Sequence, residues 1–209
     1  MPDGAATLLL AARLLPFKKP NDPQGVRPIA VGEVLRRLVG KFLLGSCMTA
    51  TRKYLPPLQC GVGVPDAVPH IIHSMRQAYR KCTQDSTMGI LQVDVTNAFN
   101  TLCRTSVLQT ISTRFPSIHP WVTWLLTSSA PLLYEQREWQ STTGVQQGDP
   151  LGPFLFACSI HPILQALQEK FPDVYQKWYL DDGILHGPLV SLDAALQLVS
   201  QELQKWGSR

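Results

Sequence analysis

The chain has 209 residues, of which 44% are hydrophobic, and a formal net charge of +4. It can therefore bury a sizeable core, which excludes disorder along its whole length. Residues 1–81 carry twelve Lys and Arg against four Asp and Glu, a net charge of +8, whereas residues 82–209 carry seven against eleven, a net charge of −4. A basic half beside an acidic half suggests a polyanion-binding groove next to a metal site, with chance unevenness as the alternative.

Two extended apolar segments near the start of the chain flank turn-forming residues at positions 21–25. The pattern predicts two strands that bring Lys18, Lys19 and Arg27 close together. Such a cluster suits phosphate, because Lys acts as a point charge and Arg as a planar fork. Solvated surface charge is the alternative, and it is favoured when this segment is considered alone. The preceding apolar stretch, residues 5–15, contains Arg13 and is too short to cross a bilayer, so we expect a packed helix or strand there.

Helical periodicity then predicts two amphipathic helices. The first begins at Glu33, and its apolar face comprises Val34, Leu35, Leu38, Val39, Phe42 and Leu43, with Arg36, Arg37 and Lys41 on the polar face. The second is capped by Asp66, and its apolar face comprises Val68, Ile72, Met75 and Tyr79. Basic faces on these helices suit a nucleic-acid backbone, although ordinary solubility explains them nearly as well.

The segment at residues 88–95 is typical of a buried strand that ends in a carboxylate, Asp94. A helix follows, and then a strand pair around residues 135–138. A polar loop rich in Gly and Pro, residues 146–153, leads into a long apolar helix that contains Pro162. A lone acid at the end of an apolar strand is a frequent way to present a metal ligand.

Residues 174–185 predict a β-hairpin whose turn carries Asp181 and Asp182, with Gly183 providing the unusual backbone conformation of the turn. Two adjacent carboxylates repel each other unless a cation lies beside them. A divalent metal is the obvious candidate, since hard cations take oxygen ligands. A solvated Asp-Asp-Gly turn is the alternative that the hairpin alone leaves open.

Five widely spaced cysteines are present: Cys47, Cys60, Cys82, Cys103 and Cys158. They form no CxxC pair, so they predict neither a zinc site nor a disulfide framework and indicate reduced, intracellular core residues. Because no signal peptide or membrane-spanning segment is evident, we expect no membrane partner.

Three motifs, in this order, resemble those of reverse transcriptases. Residues 94–99 (Asp-Val-Thr-Asn-Ala-Phe) are similar to the first palm motif, and residues 147–153 to the Gln-Gly loop that precedes a helix. Residues 179–182 (Tyr-Leu-Asp-Asp) are similar to the aromatic-x-Asp-Asp hairpin. Upstream, Lys19 and residues 27–29 resemble the fingers motifs. The resemblance covers nearly the whole chain and is nearest to the non-long-terminal-repeat retroelement type.

This resemblance implies an α+β fold of the right-hand polymerase type. It would comprise a basic, fingers-like region at residues 1–86 and a palm at residues 87–209, whose antiparallel sheet is backed by helices. Little sequence follows the last predicted helix, so the thumb is expected to be missing and primer grip to suffer. Gly152, where many relatives carry serine, and Asp149 depart from the family pattern and concern the finer nucleotide contacts.

The implied activity is that of an RNA-directed DNA polymerase from a retroelement. Such a nucleotidyltransferase joins a primer 3′-hydroxyl to the α-phosphate of a deoxynucleoside triphosphate, on an RNA or DNA template, with two Mg²⁺ ions or, alternatively, Mn²⁺. The implied metal ligands are Asp94, Asp181, Asp182 and the Val95 carbonyl. The implied nucleotide-binding residues are Lys19 (or Lys18), Arg27, Gln147, Gly148 and Phe99.

Phe99 separates the hypotheses that remain. Its bulk beneath the sugar would exclude a 2′-hydroxyl, which counts against an RNA-directed RNA polymerase. A truncated retroelement remnant that binds nucleic acid without synthesis is the other alternative, and the sequence leaves it open.

Overall fold

The computed structural model describes residues 3–20 and 22–207. The strands are β1 (Ala12–Lys19), β2 (Asp22–Gly32), β3 (Met88–Asp94), β4 (Ala130–Tyr134), β5 (Arg137–Ser141), β6 (Tyr175–Tyr179) and β7 (Asp182–Pro188). The helices are α1 (Asp3–Leu10), α2 (Val34–Tyr54), α3 (Ala67–Gln84), α4 (Ala98–Thr101), α5 (Arg104–Arg114), α6 (His119–Thr127), α7 (Gly152–Lys170) and α8 (Leu189–Gly207), with a 3₁₀ turn at Pro116–Ile118.

Two compact units divide these elements. The first comprises Met1–Cys47 and Phe99–Leu155, and the second comprises Met48–Ala98 and Phe156–Arg209. Each unit is thus assembled from two separate stretches of chain. The expected boundary between fingers and palm, after residue 86, is a different kind of division from these compact units and stays a prediction.

The first unit contains a four-stranded sheet in the order β2-β1-β4-β5. Strands β1 and β2 form the predicted antiparallel pair, in which Phe17 lies opposite Arg27, and a bulge interrupts the register between Lys18 and Lys19. The predicted turn at residues 21–25 is too long, because β2 already begins at Asp22; residue 21 itself lies outside the described part of the chain. Strands β4 and β5 form the second predicted pair, and β4 adds to β1 in parallel.

The second unit contains a three-stranded antiparallel sheet in the order β3-β7-β6. Trp178 and Leu185 of this sheet are completely buried, as is Ala195 of α8. The strand predicted at residues 88–95 is present as β3, but the expectation that it is buried is wrong: its residues are partly or fully exposed, with Ile90 at 37%. The buried positions of this sheet lie on β6 and β7 instead. The central position of β7 brings the end of β3 beside the hairpin formed by β6 and β7, and this arrangement positions the candidate site.

The predicted buried faces of α2 and α3 are wrong. Phe42 of α2 is 76% exposed whereas Arg36 is 1% exposed, so a residue assigned to the polar face is the one that packs inward. In α3 the buried residues include Ile71 and Ala78, one position before Ile72 and Tyr79, which are exposed. Periodicity shows that a helix has two faces, but tertiary partners decide which residues lie inward. Asp66, the expected N-cap, has a φ of 51° and makes no side-chain capping bond.

No helix within the described residues is long and apolar enough to cross a membrane. None of the five cysteines, all within the described residues, forms a disulfide: Cys47, Cys60 and Cys158 are buried, and Cys82 and Cys103 are partly exposed. The expectation that no disulfide framework exists is therefore consistent with the fold.

Candidate active site

Strand register brings the predicted carboxylates to one end of the second unit's sheet. Asp94, the last residue of β3, pairs directly with Asp182, the first residue of β7. Tyr179 at the end of β6 pairs with the same residue, which leaves only Leu180 and Asp181 in the turn of the hairpin. The Val95 N–H donates a hydrogen bond of 3.4 Å to the Asp181 carbonyl. Residues separated by almost ninety positions in sequence therefore meet at the end of three adjacent strands.

The hairpin is as predicted, but the reason given for its turn is wrong. Leu180, not Gly183, has the positive φ, 56°, and Gly183 lies within β7 opposite Trp178. A Cβ on Gly183 would lie 2.5 Å from the Trp178 ring, so the glycine is needed because the buried indole packs directly against its backbone. The Trp178 Nε1–H in turn donates to Gln176 Oε1 at 3.0 Å, which satisfies its polar group inside the core.

The carboxylate end of the sheet is open to solvent: Asp94 and Asp182 are exposed and Asp181 is partly exposed. Among the described residues, no group of three or more His, Cys, Asp or Glu side chains is close enough to hold a metal by itself. Oxygen donors on adjacent strand ends nevertheless fit Mg²⁺, which proteins usually bind through one or two carboxylates, completing its coordination with water and substrate phosphates. The donor chemistry is thus compatible with a metal that arrives with its substrate.

In the first unit, the predicted Gln147–Gly148 loop is attached to strand β2. The Ala30 N–H donates to the Gln147 carbonyl at 2.7 Å. Gly148 has a φ of 119°, and a Cβ there would lie 2.6 Å from the Ala30 carbonyl oxygen. Only glycine accepts both this conformation and this approach, so the family-like Gln-Gly pair has a local structural reason.

A buried ion pair that sequence reasoning missed supports the same loop. Arg36 Nε lies 3.6 Å from Asp149 Oδ2, and the two side chains are 1% and 6% exposed. Arg36 also donates to the Leu10 carbonyl at 2.6 Å and to Gln146 Oε1 at 2.7 Å. The unexpected charge at Asp149 therefore belongs to the packing beneath the loop.

Burial acts on both partners of this pair. It raises the pKa of the Asp149 carboxyl, against the opposing effects of the Leu151 N–H and the charge of Arg36, and it lowers the pKa of Arg36, against the attraction of Asp149. Each shift is caused first by burial, and the opposite charge of the partner counteracts it. Loss of one partner would leave the other charge buried and unpaired, which typically costs about 3–5 kcal/mol.

Phe99 is held in the first unit by its backbone. The Val145 N–H donates to its carbonyl at 2.8 Å. Gly144, with a φ of 61°, lies so near that a Cβ would be 2.3 Å from the same carbonyl oxygen. A Cβ on Gly152 would lie 4.0 Å from the Phe99 ring, so the ring is adjacent to the start of α7.

Arg104, a partly buried cation that the sequence did not predict, fixes the segment before this loop. Arg104 donates to the carbonyls of Leu126 at 2.8 Å, Gly144 at 2.9 Å and Ser141 at 3.0 Å. Burial lowers its pKa. An arginine that follows a motif by five residues carries no sequence signal of such distant acceptors, and only the fold reveals them.

Lys18, Lys19 and Arg27 lie at the turn end of the β1–β2 hairpin, and all three are exposed. The hairpin therefore brings the predicted phosphate-binding cations together, whereas the carboxylates belong to the other compact unit. Because these side chains are exposed to solvent, they can bind a phosphate without first breaking a buried ion pair.

Comparison with known proteins accounts for this combination of elements. The family model for reverse transcriptase (RNA-dependent DNA polymerase) matches residues 17–209. The chain belongs to the reverse transcriptase family. Among curated proteins, this reverse transcriptase is 29% identical over 208 residues to the retrotransposable element SLACS 132 kDa protein of Trypanosoma brucei gambiense. It is 26% identical over 158 residues to the Pol polyprotein from the type-1 retrotransposable element R2 of Popillia japonica.

These curated relatives are non-long-terminal-repeat retrotransposon proteins, which confirms the predicted subtype. The alignments cover 95% and 71% of this chain, but only 17% and 22% of the respective relatives. This reverse transcriptase therefore spans less than a quarter of the length of the curated relatives it matches.

Solved structures show the same fold. The structure of apo telomerase from Candida tropicalis matches with a TM-score of 0.68 at 13% identity, covering 99% of this chain and 44% of that one. Telomerase from Candida albicans in complex with a TWJ fragment of telomeric RNA matches with a TM-score of 0.66 at 10% identity, covering 98% and 41%. The predicted α+β right-hand polymerase fold is confirmed.

Proposed function

We propose that this reverse transcriptase domain transfers deoxynucleotides to a primer 3′-hydroxyl as directed by an RNA template. The observation that carries the proposal is the register of the second unit's sheet, in which Asp94 pairs with Asp182 and Asp181 occupies the adjoining turn. A solvated turn has no need of a third carboxylate on a neighbouring strand end. A metal-dependent nucleotidyltransferase does need one, since its carboxylates must converge from separate strands.

The carboxylates of Asp94 and Asp181 would hold divalent cations, with Asp182 as a further ligand or hydrogen-bonding partner and the Val95 carbonyl as another oxygen donor. Two bound Mg²⁺ or Mn²⁺ ions supply activation of the attacking oxygen and stabilisation of the leaving one. The chain's own contribution is to fix these oxygens on rigid strands and to leave them open to substrate, as their exposure allows.

The remaining roles follow from the family resemblance. Lys19 and Arg27 would bind the triphosphate, and the exposure of both side chains supports this. Gln147 and Gly148 would lie under the nucleotide and template, held by the bond to Ala30 described above. Phe99 would lie beneath the sugar and select deoxynucleotides.

Primer extension by the purified chain tests this function. With an RNA template, a DNA primer, deoxynucleoside triphosphates and Mg²⁺, we expect extension that chelation by EDTA stops. Asp181→Asn should abolish extension, because the amide is a poorer metal ligand and removes a charge. Asp193→Asn, an exposed Asp on α8, is the matched control and should extend normally.

Equal extension by the Asp181→Asn variant would show that the hairpin is assigned wrongly. Binding of the template–primer without extension in Mg²⁺ or Mn²⁺ would instead support the non-catalytic remnant. Preferential incorporation of ribonucleotides would favour an RNA polymerase.

A further inference from the structure

Gln59 is a completely buried residue in the segment that joins α2 to α3, and it lies outside the motifs of the family resemblance. Its side-chain amide binds the backbone of Leu180 on both sides. Oε1 accepts a hydrogen bond from the Leu180 N–H at 2.8 Å, and Nε2 donates to the Leu180 carbonyl at 3.0 Å. Leu180 directly precedes Asp181, so this amide contacts the turn that carries a proposed metal ligand.

The pairing of the neighbouring backbone explains why an amide side chain occurs here. Residues 58–60 run beside β6 in parallel: the Trp178 N–H donates to the Leu58 carbonyl at 2.8 Å, and the Cys60 N–H donates to the Trp178 carbonyl at 2.7 Å. Alternate residues of a strand present their N–H and C=O groups to the same side, so Leu180 is the next residue to face this segment. The Gln59 amide provides there the donor and acceptor that another peptide group would have provided.

The conformation of Leu180 gives this contact its importance. With a φ of 56°, Leu180 is in the left-handed region, which is unfavourable for a residue other than glycine. Other turn conformations therefore compete unless surrounding bonds favour this one. The Gln59 amide satisfies both backbone groups of Leu180 together, and Oε1 is itself fixed by the Gly61 N–H at 2.9 Å.

Gly61 adds an independent observation of the same close packing. A Cβ at this position would lie 2.7 Å from the Leu180 backbone nitrogen. The absence of a side chain at residue 61 thus lets the segment approach the turn closely enough for the amide to bind both groups.

We propose that Gln59 is a positioning residue, which holds the Leu180 backbone and so keeps Asp181 at the end of β3, where its carbonyl accepts the Val95 N–H, during nucleotide transfer. The catalytic part of this proposal rests on the proposed function. The positioning part concerns only the turn, and a measurement without substrate can test it.

Gln59→Leu removes both bonds to Leu180 while keeping a side chain of similar size, and Gln176→Leu is the matched control. Gln176 is likewise buried and lies in β6, a strand of the hairpin whose turn contains Leu180. Its side chain bonds the Leu164 carbonyl and the Trp178 indole, and does not bind the turn. Amide hydrogen exchange at residues 180–182 and the kcat and KM of primer extension are measured for both variants and for the parent chain.

We expect Gln59→Leu to accelerate exchange at residues 180–182 at least tenfold, and Gln176→Leu to leave it within twofold of the parent. In extension, kcat of Gln59→Leu should fall by about 10–100-fold, because small misplacements of reacting groups have effects of this size. The KM for deoxynucleotide should stay within twofold, since the triphosphate-binding residues are unchanged. Gln59→Glu, which keeps the acceptor for the Leu180 N–H and loses the donor to the Leu180 carbonyl when ionised, should give a kcat between those of the parent chain and Gln59→Leu.

Unchanged exchange at residues 180–182 in the Gln59→Leu variant would overturn the positioning role. An equal loss of kcat in both leucine variants would also overturn it, since that result indicates general destabilisation of the hairpin. A parent chain that extends no primer contradicts the proposed function instead, and the exchange comparison then decides the role of Gln59 alone.

Discussion

Phe99, which is partly exposed, is fixed through its backbone. The Val145 N–H and the close approach of Gly144 define the position of its carbonyl, and its ring lies near Gly152. A side chain anchored in this way can act as a steric limit on the sugar of an incoming nucleotide, which is the role that the family resemblance implies.

Shortening this side chain tests the role. Phe99→Ala should raise the ratio of ribonucleotide to deoxynucleotide incorporation by about 10–100-fold, as expected when a hydrophobic contact that discriminates substrates is removed. The measurement is kcat/KM for each nucleotide with the same template and primer. Phe42→Ala removes an exposed Phe from α2 and should leave the ratio unchanged. An equal ratio in the Phe99→Ala variant would mean that another residue selects the sugar.

At the scale of single residues, the sequence pointed only to candidate site residues that lie in recognisable short motifs, and their roles stay predictions. Asp94, Asp181 and Gln147 lie in short motifs, so their pattern was readable without the fold. Gln59 and Arg36 were not predicted, because their partners lie 121 and 110 residues away. Nothing in a linear pattern distinguishes a buried Gln or Arg with distant acceptors from a solvated one.

At the scale of elements, the Gln147–Gly148 loop depends on strand β2. Gly148→Ala would place a Cβ 2.6 Å from the Ala30 carbonyl oxygen at a backbone φ of 119°, and strain of this kind costs about 1–3 kcal/mol. We expect a lower unfolding temperature and a raised KM for deoxynucleotide, measured by thermal denaturation and by steady-state extension.

Gly45→Ala is the control for this substitution. Gly45 lies in α2 with no atom within 4 Å of its would-be Cβ, so alanine there should stabilise the chain by about 0.5–1 kcal/mol and leave KM unchanged. If Gly148→Ala matched this control in both measurements, the loop would not depend on its contact with β2.

The elements themselves were largely predictable, and their buried faces were not. Alternating and periodic apolar residues predicted the three antiparallel strand pairs, strand β3 and the long helix α7, and the structure contains each of them. In α2 the same periodicity gave the wrong buried face, because Arg36 turns inward to bind Leu10, Gln146 and Asp149. The Leu180 turn was likewise attributed to the wrong residue, since a glycine next to two acids resembles a turn glycine even when it serves packing.

At the scale of the whole molecule, the family and the right-hand polymerase fold agree with the order of three motifs along the chain. In the second unit's sheet, the antiparallel pairing of β3 with β7 brings the first and third motifs together, with Asp94 opposite Asp182. The proposed catalysis therefore requires carboxylates from two strand ends. Of these carboxylates, Asp94 lies farthest in sequence from the β6–β7 hairpin.

The rate of single-deoxynucleotide addition by the Asp94→Asn variant, on an RNA template with a DNA primer in Mg²⁺, tests this claim most directly. Loss of metal-based charge stabilisation removes several kcal/mol from the transition state, so we predict a fall of at least about 10³-fold, with template–primer affinity within twofold of the parent. A rate for Asp94→Asn within twofold of the parent chain would contradict the account.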